Sequence, residues 1–221
     1  MNRTAILEQI KKGKIVAILR GVAADKIVKT AEALADGGIR CMEIAISQTN
    51  ADTVRGTMDS IRILKETFGE KVLLGAGTVL TSGQVEEATR AGATYIISPN
   101  FRKAVVRRTK EIGSVSIPGA FTASEAVEAY ETGADIVKIF PAGLLGPAYI
   151  KALRGPLGHI PMMAVGGVNA QNIPQFLKAG VCSVGVGGNL VPLDAVNSGD
   201  FEQLRQTAAD YVKCVRSSRV S

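Results

Sequence analysis

Short apolar runs alternate with longer stretches of helical periodicity from one end of the chain to the other. Residues 1–12 place apolar side chains at helical spacing and predict an amphipathic helix. Runs rich in Ile, Val and Leu at 14–20, 40–46, 71–75, 95–98, 114–117, 133–143, 161–165 and 182–186 predict strands, most of them closed by Gly or Pro. Helical patterns fill the intervals at 24–36, about 50–67, after Thr81, after Asn100, after Thr122, at 147–153, after Asn169 and at about 200–216. Thr81 with Gln84 and Thr122 with Glu125 have capping-box spacing, Asn169 is placed to cap the next helix, and the tail 217–221 is expected to fray.

Eight strands, each followed by a helix across short loops, imply a parallel sheet, and eight such units in 221 residues imply closure. The expected fold is α/β: a single-domain (β/α)8 TIM barrel spanning 1–221, with an extra N-terminal helix. An open doubly wound sheet is the alternative. It expects a glycine-rich fingerprint after the first strand, which residues 20–23 (Arg-Gly-Val-Ala) lack.

The strand at 133–143 holds a lysine, Lys138, amid Ile, Val and Phe. A buried ammonium is costly unless it is paired or gives up its proton. Lys138 is therefore either an edge lysine facing water or a desolvated amine of the kind that forms Schiff bases. Closure of the sheet removes the edge. Alternation puts Val137 and Ile139 on the outer face and turns Lys138 inward with Ile136 and Phe140. By the same argument Glu43 points inward with Cys41 and Ala45, while Met42, Ile44 and Ile46 face the helices. The second and sixth strands lie opposite each other in an eight-membered ring, so the two charged groups converge. A buried ion pair adds little net stability, which favours a functional reading of the pair.

Barrel sites lie at the C-terminal strand ends, which here carry Arg20, Glu43 with Ser47, Thr78, Ser98-Pro99, Pro118-Gly119 and Lys138 with Phe140. The last two ends are Gly166-Gly167 and Gly187-Gly188-Asn189. Gly-Gly at those places suits either an ordinary turn or an anion held on backbone N–H groups.

Composition narrows the chemistry further. Hydrophobic residues make up 46% of the chain, enough for a large core, and no apolar run reaches bilayer length. No membrane partner is expected, and a soluble, cytoplasmic protein is. Three cysteines (Cys41, Cys182, Cys214) have no metal-ligand spacing, and the odd count argues against a disulfide framework. Cys41 and Cys182 read as packed small hydrophobes. A single histidine, His159, rules out a His-based metal site. The net charge of +6 suggests anionic partners. Its densest run, Arg102-Lys103 with Arg107-Arg108 and Lys110, has the spacing of a solvated helix face, and aromatics at 5% do not interleave with it, so no nucleic-acid partner is expected.

The sequence resembles the family of 2-keto-3-deoxy-6-phosphogluconate (KDPG) and 4-hydroxy-2-oxoglutarate (KHG) aldolases over nearly its whole length. The resemblance is carried by Ile-Val-Ala-Ile-Leu-Arg at 15–20, Gly-Ile-Arg-Cys-Met-Glu-Ile at 38–44, Gly-Ala-Gly-Thr-Val at 75–79 and Ile-Ser-Pro at 97–99. It continues in Pro118-Gly119 with Thr122 and Glu125, Val-Lys-Ile-Phe-Pro-Ala at 137–142 and Val-Gly-Gly-Val at 165–168. It implies a metal-independent, cofactor-free Schiff-base enzyme, a homotrimer acting on a small-molecule keto acid. Lys138 would be the imine-forming lysine and Glu43 the acid/base. Arg20 and Thr78 would hold the pyruvyl carboxylate, Pro99 and Phe140 would line the site, and Gly166, Gly167, Gly187 and Gly188 would receive a distal phosphate.

Three positions depart from the family pattern. Ser47 stands where some members have arginine, leaving more of the carboxylate recognition to Arg20. Gly188 stands where many have a serine hydroxyl for the phosphate, so phosphorylated and unphosphorylated substrates are both open. Ala123 replaces the usual proline at a helix start. The rival readings are a phosphate-binding barrel isomerase or epimerase, which needs no mid-strand lysine, and a non-catalytic barrel that senses a ligand and binds RNA.

Overall fold

The computed structural model describes residues 1–217. Its elements run α1 (Arg3–Gly13), β1 (Ile15–Leu19), α2 (Ile27–Asp36), β2 (Cys41–Ala45), α3 (Ala51–Phe68), β3 (Leu73–Gly77), α4 (Ser82–Ala91), β4 (Tyr95–Ile97), α5 (Lys103–Ile112) and β5 (Val115–Ile117). They continue with β6 (Gly119–Ala120), α6 (Ala123–Glu131), β7 (Val137–Ile139), α7 (Ala142–Arg154), β8 (Met162–Val165), α8 (Ile173–Lys178), β9 (Ser183–Val186), α9 (Leu193–Ser198) and α10 (Phe201–Ser217).

Every strand pair is parallel, in the order β5-β4-β3-β2-β1-β9-β8-β7-β6. The two ends of that order are halves of one strand interrupted at Pro118, which has no N–H to donate. The ladder to β7 continues across the break. Ile136 N donates to Ser116 O at 3.3 Å and Lys138 N to Pro118 O at 2.8 Å. The ring therefore closes, and the (β/α)8 barrel expected from the alternating pattern is the fold. The ninth strand is the proline break, not an extra βα unit.

Two apolar layers follow from the alternation. Met42, Ile44, Leu74, Ile96, Val137, Ile139, Met162 and Val184 pack outward against the helices. Val16, Ile18, Cys41, Ala45, Tyr95, Ile97, Ile117, Ile136, Met163 and Val165 fill the interior, and Ile6 and Ile10 of α1 plug its N-terminal end. In β3 the inward positions are Leu73, Gly75 and Gly77. A methyl group at 75 would lie 2.0 Å from the Tyr95 ring, and one at 77 would lie 1.6 Å from Glu43 Oε1. Glycine at both positions makes room for the large side chains of β4 and β2.

The expected helix starts are partly corrected. Thr122 and Glu125 form a reciprocal capping box. Thr81 Oγ1 accepts from Gln84 N at 3.2 Å, but the Gln84 side chain accepts from Leu80 N and not from residue 81. Asn169 does not cap α8. Its side chain closes a turn by accepting from the amides of Gln171 and Asn172, and α8 begins only at Ile173, with Pro174 at its start. Helix α2 starts at Ile27, three residues later than the pattern suggested. The span α7 is two helical pieces parted at Gly146 (φ 75°, ψ 165°), a conformation that glycine permits and that Pro147 favours over helical backbone; the second piece starts at Pro147 as expected, and the turn from Ala142 was not anticipated. The short α9, ended by Gly199 in the left-handed conformation, was not anticipated from periodicity. Of the tail expected to fray, Ser217 ends α10, and 218–221 lie outside the described residues.

Candidate active site

A cavity of about 460 Å³ opens at the C-terminal ends of the strands. The ten residues given roles from the sequence all line it: Arg20, Glu43, Thr78, Pro99, Lys138, Phe140, Gly166, Gly167, Gly187 and Gly188. Of the other strand-end residues Asn189 lines it too, whereas Ser47, Ser98, Pro118 and Gly119 do not; Ile18, Val165, Val168 and Gly185 complete the lining and were missed. A signal for part of this set lay in the alternation. Ile18 is two residues before Arg20, and Gly185 two before Gly187, so each shares the inward face of a residue already chosen.

Lys138, in the middle of β7, is only 5% exposed, and Glu43 in β2 only 1%. Burial pushes the Lys138 amine below the ordinary lysine range; the Glu43 carboxylate opposes that shift and the Arg20 guanidinium reinforces it. Burial pushes Glu43 upward, and the positive charges of Lys138 and Arg20 pull it back. Burial thus biases the amine toward its neutral form and the carboxyl group toward its protonated form, while each charge favours the other, the pairing that amine nucleophile and acid/base work require. Glu43 Oε2 is buried and makes no hydrogen bond among the described residues. Lys138 Nζ lies 4.8 Å from the centre of the Phe140 ring, and both line the cavity.

Arg20, just beyond β1, donates to Thr78 Oγ1 at 3.0 Å. The two therefore form one polar corner beside the lysine, with donors suited to a carboxylate. Thr78 has a left-handed backbone (φ 58°), rare for a β-branched residue.

The opposite corner is backbone. Gly166 (φ 87°) and Gly167 (φ 73°) turn directly after β8, and a methyl at 166 would lie 2.9 Å from the Phe140 ring. Gly143, at the start of α7, packs against Gly167; a methyl there would lie 2.8 Å from the Gly167 Cα. Among the described residues, the amides of Gly167, Val168, Gly188 and Asn189 donate to no protein acceptor. Asn172 and Asn189 hold the loop instead, donating to Gly167 O and Val168 O at 2.9 Å each. Amides freed in this way are a donor set suited to an anion, with no side-chain hydroxyl among them. Gly188 faces open space.

Other candidates fall away from the cavity. His159 is exposed and meets the Tyr130 ring edge-on at 5.5 Å. Cys41 lies in the barrel interior, where burial pushes its thiol up to about 12, whereas Cys182 is only half-buried. In the basic run, Arg108 pairs with Glu86 (2.9 Å) and Glu111 (3.1 Å), Lys110 pairs with Asp135 (2.6 Å), and Arg102 donates to Leu80 O (3.1 Å). These pairings tie helices and loops together. No helix among the described residues is long and apolar enough to cross a membrane.

A closed parallel barrel with a desolvated lysine at mid-strand, a buried carboxyl group in the same cavity and undirected backbone amides beyond defines a class: the (β/α)8 barrels equipped for Schiff-base chemistry. Residues 6–207 match the family model "KDPG and KHG aldolase", and the chain belongs to that family. The 2-dehydro-3-deoxy-6-phosphogalactonate aldolase of Escherichia coli K12 is 37% identical over 92% of this chain and 95% of its own. A native KDPGal structure superposes with a TM-score of 0.84 at 36% identity, covering 94% of this chain and 96% of the other. The KDPG aldolase of Legionella pneumophila, with pyruvate captured as a covalent carbinolamine, superposes at 0.82 with 26% identity, covering 95% and 97%.

Proposed function

We propose that this protein is a class I aldolase that cleaves a 2-keto-3-deoxy-6-phosphohexonate to pyruvate and glyceraldehyde 3-phosphate. The observation that carries the reading is Lys138, buried and held toward its neutral form on the wall of a cavity it shares with Glu43. Neutral Lys138 Nζ attacks the C2 ketone; the carbinolamine hydroxyl takes the Glu43 proton and leaves as water, giving a protonated imine beside the Glu43 carboxylate. Glu43 takes the proton of the C4 hydroxyl. The C3–C4 electron pair flows into the imine, releasing the aldehyde and leaving an enamine. Glu43 returns the proton to C3, and water hydrolyses the resulting imine to pyruvate and free Lys138.

In this reading Arg20 and Thr78 hold the C1 carboxylate, Pro99 and Phe140 wall the reacting carbons, and the amides of Gly167, Val168, Gly188 and Asn189 hold the distal anion. The cradle also accepts the terminal carboxylate of 4-hydroxy-2-oxoglutarate, cleaved to pyruvate and glyoxylate by the same steps. The similarity to aldolases named for both the galactonate and gluconate epimers supports the phosphorylated sugar acid as the main substrate. The chain acts as one catalytic domain, as a homotrimer and in the cytoplasm, where phosphorylated sugar acids are retained.

Incubation with pyruvate and borohydride tests the chemistry, with peptide mapping of the reduced adduct. An adduct on Lys138 is expected; none, or one on another lysine, overturns the reading. Turnover of the two epimers and of 4-hydroxy-2-oxoglutarate then ranks the substrates, and light scattering gives the oligomeric state.

A further inference from the structure

Thr78 and Lys14 are the non-glycine residues with positive φ among the described residues, and Lys14 merely ends a helix. A strained conformation at a cavity-lining threonine calls for whatever holds it there. Two amide side chains do so. Gln48, on the loop after β2, donates from Nε2 to the Thr78 carbonyl at 2.7 Å. Gln84, in the first turn of α4, donates to Gln48 Oε1 at 2.9 Å. The Gln84 Oε1 accepts from Leu80 N at 2.8 Å, so the relay returns to the same loop two residues beyond Thr78. The strand-end loop is thereby gripped on both sides of its strained residue, and Thr78 Oγ1 is left aimed at Arg20. Gln48 does not line the cavity and is itself exposed, so neither substrate contact nor core packing accounts for its placement.

We infer that Gln48, held by Gln84, is a positioning residue for keto-acid recognition: it fixes the backbone of Thr78 so that Thr78 and Arg20 present one pre-formed carboxylate clamp. The inference rests on the proposed reading of that corner as the carboxylate site. It predicts an effect confined to ligands that bear the carboxylate, because Lys138 and Glu43 lie on other strands.

The test is borohydride trapping of the whole enzyme with two carbonyl compounds, pyruvate and hydroxyacetone, which lacks a carboxylate. In Gln48→Met, which keeps the length and loses the donor, the pyruvate concentration for half-maximal trapping should rise about five- to tenfold, the loss of one well-placed hydrogen bond. Hydroxyacetone trapping should be unmoved. Gln84→Met should shift pyruvate in the same direction by less, and Gln48→Asn, too short to reach, should behave as Gln48→Met. Equal losses for both compounds, or no change with pyruvate, overturn the inference while leaving Lys138 as the nucleophile. Failure of the unsubstituted enzyme to trap pyruvate on Lys138 overturns the aldolase reading and this inference with it.

Discussion

Gly77→Ala should abolish most of the activity while adding only a methyl group, and the structure gives the size of the effect. A methyl at position 77 would lie 1.6 Å from Glu43 Oε1, 2.2 Å from its Cδ and 2.5 Å from its Cγ. Ordinary contacts begin near 3.4 Å, so the carboxyl group must move by roughly 1.5–2 Å or the strand must shift. The backbone of Gly77 is not left-handed, so its conformation suits alanine, and the three nearest atoms a methyl would meet all belong to Glu43. Misplacing a catalytic group by about 1 Å costs on the order of 10²-fold, and loss of acid/base catalysis about 10²–10⁴-fold. The expected kcat for cleavage is therefore about 10²- to 10³-fold below the parent, with about 1–3 kcal/mol of lost stability from overpacking. A double-mutant cycle with Glu43→Ala isolates the cause. Removing the carboxylate makes room for the methyl, so the double variant should match Glu43→Ala in kcat and be more stable than Gly77→Ala. Steady-state kinetics and thermal unfolding read both quantities. A Gly77→Ala enzyme within threefold of the parent, or a double variant in which the two losses simply add, would refute the claim that Gly77 exists to seat Glu43.

The remaining predictions concern the same cavity. Glu43→Gln should lower cleavage by about 10²–10⁴-fold. It should also move the acid limb of the pyruvate-trapping rate to lower pH: the Glu43 charge raises the Lys138 pKa, so its removal lets that pKa fall further and the amine stays neutral in more acidic buffer. A limb that moves to higher pH would contradict the assigned coupling. Gly188→Ser places a hydroxyl in open space beside the cradle and should lower KM for the phosphorylated substrate about two- to fivefold, with no change for the dephosphorylated analogue. Gly166→Ala introduces a methyl 2.9 Å from the Phe140 ring at φ 87° and should raise KM and lower stability together, read by kinetics and thermal unfolding.

Much of this arrangement was legible in the residues, for definable reasons. Alternation within β2 and β7 is strict, because a one-residue slip would turn Glu43 and Lys138 out against the apolar faces of the helices. That rule placed Glu43 and Lys138 inside before any distance was known. The strand ends gave the rest, since a barrel brings eight consecutive C-termini to one rim. What escaped depended on three-dimensional approach. Gly75 and Gly77 read as a strand running into a loop, yet their purpose is the space taken by Tyr95 and Glu43 from neighbouring strands. Pro118 read as a strand stop, whereas the ladder passes through it by carbonyl alone. Gly188 read as a missing hydroxyl, and only the structure reveals the undirected amides around it, donors that suit an anion without one. Asn169 failed as a helix cap because its side chain found nearer amides in a turn, a competition that spacing does not resolve.

The ring closes between β1 and β9, strands more than 160 residues apart in the chain, and the site is divided the same way. Arg20, Glu43 and Thr78 come from the first half of the sequence, Lys138 and both glycine loops from the second. Before the halves meet, Lys138 is an ordinary solvated amine, protonated at neutral pH and inert toward ketones. On the proposed mechanism its reactivity comes from burial, and burial is complete only when the barrel is. A partly synthesised or misfolded chain would then carry a harmless lysine among keto acids, and the proposed nucleophile would appear together with the groups proposed to control it.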